Sequence, residues 1–239
     1  VNRLRYAFEI GRIAREHKVE VFHCLTNYAA FGTSCAVVCN VMDLVTLKYP
    51  QFRPSRAQWF IYRFVFPFLL RRATYLIAIS ESTGRDIRDC YGFNEQIRVV
   101  HCGIDRSRFN TGQRLDTTLL ERFNLPENYL LFVGYLSPKK NLEVVLHAMF
   151  RLKTEGLDTT LVVVGKRGYG SESFFELVES LSLQESIIET GFVSNEELTL
   201  LYRHAGLFVF PSIYEGFGLP VVEAMACGAP VLASDAGPL

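Results

Sequence analysis

Residues 207–233 read LFVFPSIYEGFGLPVVEAMACGAPVLA, and this stretch decides the fold class. The four apolar residues 207–210 predict a buried strand, and the run Val231–Ala233 predicts a second one. Between them a glycine-containing loop leads into a predicted helix at 219–227, with Pro220 in its first turn. Strand, helix and strand in this order predict two parallel strands joined by a crossover helix.

The same alternation extends outward over the rest of the chain. Near-continuous apolar runs predict further strands of parallel sheets, which helices cover on both faces; the runs are Val19–Phe22, Ala36–Val41, Tyr75–Ile79, Ile97–Val100, Tyr129–Val133, Leu161–Val164 and Ile187–Glu189. Helical spacing between them predicts helices near 2–16, 55–72, 82–90, 141–154, 172–181 and 195–204. We therefore expect an α/β protein with an N-terminal domain at 1–106, a linker at 107–125 and a C-terminal domain at 126–239.

Composition sets the class of protein. Hydrophobic residues make up 49% of the 239 positions and charged residues 21%, which excludes a disordered chain, a collagen-like repeat and a disulfide miniprotein. Lys and Arg balance Asp and Glu at 25 each, so the net charge does not indicate nucleic acid as a partner. The balance is uneven, however, with 16 basic and 9 acidic residues in 1–112 and the reverse in 113–239. The basic half suits an anionic lipid or substrate, but ordinary drift between two domains is the favoured interpretation.

Cysteine spacing and hydropathy indicate the compartment. The six cysteines include no CxxC pair, so we expect no metal site, and scattered thiols in a chain of this size are typical of a reducing compartment. No signal peptide is recognisable. The most apolar stretch, Trp59–Leu70, is too short to span a bilayer. These features predict a cytoplasmic protein, with peripheral contact at the inner face of the membrane as an open alternative.

The loop before the helix at 219–227 predicts an anion site. Its glycines allow a close approach of backbone N–H groups, and a helix N-terminus favours negative charge; the predicted contacts are Gly216, Phe217, Gly218 and Leu219. Glu215 and Glu223 flank this loop, and carboxylates are good acceptors for the vicinal hydroxyls of ribose or hexose. For Glu223 the alternative is a surface cap or ion pair.

This segment resembles the E-x7-E signature of the retaining GT-B glycosyltransferases of family 4, including the flanking EGFGLP and EAMACG. The resemblance covers Tyr129 to the C-terminus, with a looser match upstream. It implies two Rossmann-like domains facing a cleft, both of them partial, because family members begin before and continue beyond this sequence. By the resemblance, Glu215 contacts the donor sugar, Glu223 the nucleotide ribose and the backbone of Gly216–Leu219 the diphosphate.

Three further segments of the second half resemble donor-site loops of the family. In Gly134–Asn141, Lys140 matches the phosphate-binding lysine of the G-x-L-x-P-x-K-N pattern; Tyr135 stands where many members carry Arg, and Lys139 is a candidate for the second positive charge. In Gly165-Lys-Arg-Gly168, Lys166 is either a phosphate contact or a surface residue. Val193 lies in the segment whose backbone holds the nucleobase in family members.

The first half matches the family more loosely. Asn40–Leu44 resembles a His-Asp element in which Met42 replaces the histidine, and Asp43 is either functional or a helix cap. Ser80 or Ser82 is predicted to cap the following helix. The segment 53–72 is basic and aromatic; it either docks on a membrane or is buried, and apolar residues on nearly every face favour burial.

The resemblance implies an enzyme that transfers a hexose, with mannose as the candidate sugar, from a GDP- or UDP-linked donor to an acceptor hydroxyl with retention. The acceptor is a saccharide or a lipid-linked saccharide of cell-surface polysaccharide assembly. No DxD motif is present, which agrees with a metal-independent reaction without a cofactor, in which Glu215, Lys140 and Asp43 act at the reaction centre. The alternative is a nucleotide-sugar-binding subunit, or a fragment, that does not catalyse transfer.

Overall fold

A computed structural model describes residues 2–26, 32–52, 55–112 and 121–239. The chain divides into two compact units. The first consists of residues 1–102 with Glu215–Phe217 and Pro238, and the second contains the rest of the chain from Gly103 onward. Part of the predicted linker, 113–120, lies outside the described residues.

The first unit is built on a parallel sheet with the strand order β1-β2-β3-β4. Its strands are β1 Val21–Cys24, β2 Ala36–Val41, β3 Tyr75–Ala78 and β4 Ile97–Val99. Its helices are α1 Asn2–Glu16, α2 Val45–Lys48, α3 Arg56–Phe60, α4 Phe66–Leu70 and α5 Glu81–Tyr91, and a π-helical turn, Ile61–Val65, joins α3 to α4.

Local sequence explains the ends of α5. Ser80 is its N-cap, and the side chain accepts a hydrogen bond from the backbone N–H of Thr83 at 3.0 Å, as predicted. At the other end Gly92 takes the left-handed conformation that commonly terminates helices. The β1 prediction was two residues too early, because the chain is still in the turn after α1 at Val19.

The second unit is built on a five-stranded parallel sheet with the order β7-β6-β5-β8-β9. Its strands are β5 Leu130–Val133, β6 Leu161–Val164, β7 Ile187–Gly191, β8 Leu207–Phe210 and β9 Val231–Ala233. Its helices are α6 Glu143–Thr154, α7 Glu172–Ser180, α8 Asn195–His204 and α9 Leu219–Ala226. The chain moves outward from β5 to β7 and then returns to β8, so the strand order reverses between β5 and β8.

Burial follows this architecture. All four residues of β6 are buried, as expected for a strand in a sheet that is covered on both faces. The nine strands of the described residues coincide with the nine predicted apolar runs, apart from shifts of a residue or two at some ends. The predicted α/β class with two Rossmann-like parallel sheets is confirmed. None of the helices in the described residues has the length and hydropathy of a transmembrane span.

Two backbones approach closely at the carboxyl ends of β5 and β6. Gly165 has φ +134°, and a Cβ atom there would overlap the carbonyl oxygen of Gly134. Backbone hydrogen bonds fix this approach, because Gly134 N–H donates to Val164 at 2.9 Å and Gly165 N–H donates to Gly191 at 2.9 Å. Neither backbone can therefore move away without breaking the pairing.

We expect Gly165→Ala to lower the free energy of unfolding by at least about 3 kcal/mol, since backbone strain and a steric overlap add together. Gly156→Ala is the matched control, because Gly156 also has a positive φ, +84°, but open space around its Cβ position. The free energy of unfolding of this control should fall by only about 1 kcal/mol. Urea unfolding of both variants measures the difference, and equal losses would contradict the close approach.

Candidate functional site

The strand order of the second unit reverses between β5 and β8. In open α/β sheets, ligands bind where the strand order reverses, because the loops from the two neighbouring strands lead away in opposite directions. The loop 134–142 follows β5, and the loop 211–218 follows β8. Both were predicted from the sequence to carry donor-binding residues.

Backbone hydrogen bonds hold the loop after β5 on both sides. Leu136 N–H donates to the carbonyl of Lys166 at 3.0 Å, and Gly168 N–H donates back to Leu136 at 2.8 Å. On the other side, Ile213 N–H donates to the carbonyl of Lys139 at 2.9 Å. The loops after β5, β6 and β8 therefore form one connected edge.

Lys140 lies at the centre of this edge. Its Nζ is 4.6 Å from the ring centroid of Phe210, the last residue of β8, in a cation–π contact. Its side chain also lies beside Gly134: a Cβ atom built on that glycine would be 3.6 Å from the Lys140 Cε. Phe210 is fully buried and stacks on Phe132, with 6.1 Å between ring centroids. The aromatic core thus supports an ammonium group where β5 and β8 end.

The other predicted donor contacts of this edge differ in how they are held. Lys139 is half-buried and Lys166 is exposed. Next to Lys166, Arg167 binds both carboxylate oxygens of Glu189, at 2.7 and 3.1 Å. The side chain of Val193 is buried in the core, so only its backbone groups are available to a ligand.

The start of α9 has the geometry of an anion site. Gly218 is the N-cap residue with φ +95°, a conformation that glycine adopts without strain. Leu219 is the first helical residue, and the following Pro220 has no N–H to satisfy. The N–H groups of Val221 and Val222 donate to the Gly218 carbonyl at 2.9 and 3.4 Å, so the Leu219 N–H and the helix dipole are what favour a negative charge here.

Glu223 lies one turn into α9, and its side chain is half-buried rather than a surface cap. Its carboxylate accepts a hydrogen bond from the hydroxyl of Tyr202 at 3.1 Å. Burial raises the pKa of Glu223, and the Tyr202 hydrogen bond opposes this rise because it stabilises the charged form. Tyr202 itself is fully buried on α8. The tyrosine therefore fixes one carboxylate oxygen in position.

Tyr202 was not among the residues predicted from the sequence. It follows no glycine loop and ends no strand, and its aromatic ring at helical spacing is typical of a core residue. Its hydroxyl meets Glu223 only because α8 and α9 pack together. The one sequence signal was a polar hydroxyl at a position that periodicity assigns to the core, since buried tyrosine hydroxyls usually have a partner.

The first unit contains the remaining predicted residues. The Asp43 carboxylate accepts a hydrogen bond from Val45 N–H at 3.1 Å, in an Asx turn just before α2. The N-cap residue of α2 is Leu44, which makes no side-chain cap bond. Glu215, Gly216 and Phe217 belong to this unit, and the Glu215 side chain is largely buried. Within it, the carbonyl of Gly216 accepts a hydrogen bond from Thr83 Oγ1 at 3.2 Å.

Sequence comparison identifies the family to which the chain belongs. The sequence model described as "Glycosyl transferases group 1" matches residues 120–239, and that described as "Glycosyltransferase Family 4" matches residues 1–108. The chain belongs to the group 1 glycosyl transferases. The resemblance to GT-B glycosyltransferases of family 4 is thereby confirmed.

Among curated relatives, several mannosyltransferases are similar to this group 1 glycosyl transferase. The serotype-specific mannosyltransferase WbdA of Escherichia coli is 34% identical over 171 residues, which are 69% of this chain and 21% of WbdA. The O-antigen chain mannosyltransferase RfbU of Salmonella typhimurium is 30% identical over 199 residues, 82% of this chain and 51% of RfbU. The chain thus spans between about a fifth and a half of the length of these relatives.

Solved structures support the fold of this group 1 glycosyl transferase. The crystal structure of Anabaena HepE in complex with UDP-glucose has a TM-score of 0.79 at 22% identity, covering 96% of this chain and 63% of HepE. WaaG, a glycosyltransferase involved in lipopolysaccharide biosynthesis, has a TM-score of 0.72 at 18% identity, covering 96% of this chain and 63% of WaaG. At these identities the likeness shows the fold alone.

We expect Tyr202→Phe to destabilise the protein more at pH 8 than at pH 4. Without the hydroxyl the pKa of Glu223 rises further above its unfolded value, and a raised carboxyl pKa costs stability only where the unfolded chain is ionised. The loss at pH 8 should be about 1.5–3 kcal/mol, the usual effect of a hydrogen bond to a charged group.

Tyr129→Phe is the matched control, because the buried Tyr129 hydroxyl donates to the Leu201 carbonyl at 2.8 Å. Its loss of stability should be the same at both pH values. Urea unfolding at pH 4 and pH 8 gives the four free energies. A Tyr202→Phe loss that does not change with pH would contradict the assigned pairing with Glu223.

Proposed function

We propose that this group 1 glycosyl transferase moves a hexose, with mannose as the candidate sugar, from a nucleotide diphospho-sugar to an acceptor hydroxyl with retention of configuration. The donor is GDP- or UDP-linked, the acceptor is a saccharide or lipid-linked saccharide of cell-surface polysaccharide, and no metal takes part. The observation that carries the proposal is the placement of the Lys140 ammonium over Phe210, at the point where the strand order reverses.

Charge complementarity supports a diphosphate as the ligand of this edge. A lysine near a low-dielectric aromatic surface interacts more strongly with an anion than a solvated lysine does. The start of α9 adds the Leu219 N–H and the positive end of the helix dipole. Both features stabilise the negative charge that develops on a leaving diphosphate.

The carboxylates of Glu223 and Glu215 orient the donor. Glu223, held by Tyr202, accepts hydrogen bonds from the vicinal hydroxyls of the nucleotide ribose, and Glu215 accepts hydrogen bonds from hydroxyls of the transferred sugar. The bond from the anomeric carbon to the diphosphate oxygen breaks, and a bond from that carbon to the acceptor oxygen forms on the same face. The acceptor proton moves to the departing phosphate, so no protein base is required.

Mannose and polysaccharide assembly are favoured by the relatives, since WbdA and RfbU are both described as mannosyltransferases and RfbU acts on O-antigen chains by its name. The direct experiment incubates the protein with GDP-mannose or UDP-sugars and a saccharide acceptor, with and without EDTA. NMR of the anomeric proton of the product distinguishes retention from inversion. Donor binding without product would instead favour a non-catalytic nucleotide-sugar-binding subunit.

We expect Lys140→Met to weaken binding of GDP or UDP about 10- to 100-fold, the effect of removing a charge-assisted contact. The corresponding nucleoside should bind the variant and the wild type equally, because it carries no phosphate. Lys153→Met is the control, since Lys153 lies on α6 and donates to the Ser182 carbonyl. Calorimetric titration provides the affinities. An unchanged diphosphate affinity in Lys140→Met would contradict the role of this lysine.

We expect Glu223→Ala to remove the preference for ribose over deoxyribose. The wild type should bind GDP or UDP about tenfold more tightly than the 2′-deoxy form, because the carboxylate accepts a hydrogen bond from the 2′-hydroxyl. The variant should bind both forms with the same, weaker affinity. A preference that persists in the variant would place the ribose elsewhere.

A further inference from the structure

The helical stretch from α3 to α4, residues 56–70, has two apolar faces. Its inner face packs into the core of the first unit, where Phe66, Leu69 and Leu70 are buried. Its outer face exposes three phenylalanines, Phe60 to 55%, Phe64 to 53% and Phe68 to 52%, together with Ile61 to 41%. The burial favoured from the sequence is therefore wrong for the outer face.

The π-helical turn Ile61–Val65 keeps these phenylalanines in one row. In an α-helix four residues advance about 40° beyond a full turn, so positions spaced by four drift around the axis. A π turn closes its hydrogen bonds five residues apart and is wider, which offsets part of that drift. The rings of Phe60 and Phe64 consequently lie 4.9 Å apart between centroids on the outside of the helix.

Arginines surround the exposed rings. The guanidinium of Arg63 lies 5.5 Å from the centroid of Phe64, and that of Arg72 lies 5.2 Å from the centroid of Phe68. Arg71 is also exposed. We call this surface, with Phe60, Ile61, Phe64, Phe68, Arg63, Arg71 and Arg72, the basic aromatic face.

The basic aromatic face has no acidic residues in its own segment. Residues 44–80 contain six Lys and Arg and no Asp or Glu. Lys48 is paired with Asp86 of α5 at 2.7 Å, whereas Arg56, Arg63 and Arg71 form no ion pair in the part of the chain that the structure describes. The face therefore combines a surplus of positive charge with exposed aromatic rings.

We propose that the basic aromatic face docks on a membrane surface containing anionic lipids, with the helix lying in the interface plane. The phenylalanines enter the boundary of the acyl chains, and the arginines bind lipid phosphates at the headgroup level. Trp59, half-buried and in edge contact with Phe64 at 6.1 Å, lies beside this surface and suits the same interface.

The positive charge of the basic aromatic face favours an anionic lipid surface over a second copy of this chain as its partner. A twofold contact would bring the same face of two molecules together and place arginines against arginines, which is unfavourable at short distance. An anionic lipid surface offers both phosphates for the arginines and an apolar layer for the rings. The proposal goes beyond the transfer reaction, and it is tested without donor or acceptor.

The experiment is co-sedimentation of the protein with vesicles of phosphatidylcholine containing equal parts of phosphatidylglycerol, compared with phosphatidylcholine alone. We expect binding to the anionic vesicles that weakens as salt is raised, because the arginine contribution is screened. The variant Phe60→Ser/Phe64→Ser/Phe68→Ser should bind at least about tenfold more weakly, since apolar area entering the interface sets much of the affinity. Arg63→Gln/Arg71→Gln/Arg72→Gln should lose the preference for anionic lipid.

Two control variants match these changes in number and type. Val144→Ser/Phe150→Ser/Leu157→Ser removes three exposed apolar side chains of the second unit, and Arg106→Gln/Arg108→Gln/Arg151→Gln removes three exposed arginines outside the face. Both should bind vesicles like the wild type. Thermal unfolding of every variant verifies that the fold is retained.

Failure of the wild type to bind anionic vesicles at low salt would overturn the proposal. Binding by the Phe60→Ser/Phe64→Ser/Phe68→Ser variant that equals the wild type would overturn it as well. Light scattering after size-exclusion chromatography tests the rival occupant: a dimer that this variant converts to monomer would assign the face to self-association instead. None of these results depends on nucleotide binding, so the proposed transfer reaction is judged separately.

Discussion

Backbone hydrogen bonds continue the pairing of β5, β6 and β7 beyond the ends of these strands, and the candidate site depends on them. Gly134 donates to Val164, and Gly165 donates to Gly191, so each strand end is tied to its neighbour. The loops that follow are thus positioned by the sheet rather than by their own side chains. A site on such a rigid edge holds its groups in place before a ligand arrives.

The position of Lys140 on this edge matters more for binding an anion than the net charge of the second half of the chain. The second half of the chain is acidic, with 16 Asp and Glu against 9 Lys and Arg, yet the site is proposed to bind a diphosphate. Because charges farther apart than the Debye length of about 8 Å are largely screened at physiological salt, the local arrangement outweighs the net charge. The Lys140 ammonium over the ring of Phe210 and the start of α9 supply positive charge locally.

The sequence predicted the parts of the structure that local patterns determine. Apolar runs located all nine strands of the described residues, and a serine cap placed the start of α5. The contact between Tyr202 and Glu223 could not be predicted in this way, because it depends on which faces of α8 and α9 meet. The π turn at Ile61–Val65 could not be predicted either, since no residue type in that segment requires it.

The basic aromatic face shows why hydrophobic periodicity misjudges a helix with two apolar sides. A helix that is apolar all round is normally buried on all sides, but the core of the first unit covers only the side of Phe66, Leu69 and Leu70. Covering the other side with a second protein layer would desolvate Arg63 and Arg71, which is costly without carboxylate partners. The segment 44–80 contains no carboxylate residue to compensate them. A membrane interface avoids this conflict, because it buries the rings while phosphates and water remain within reach of the guanidinium groups.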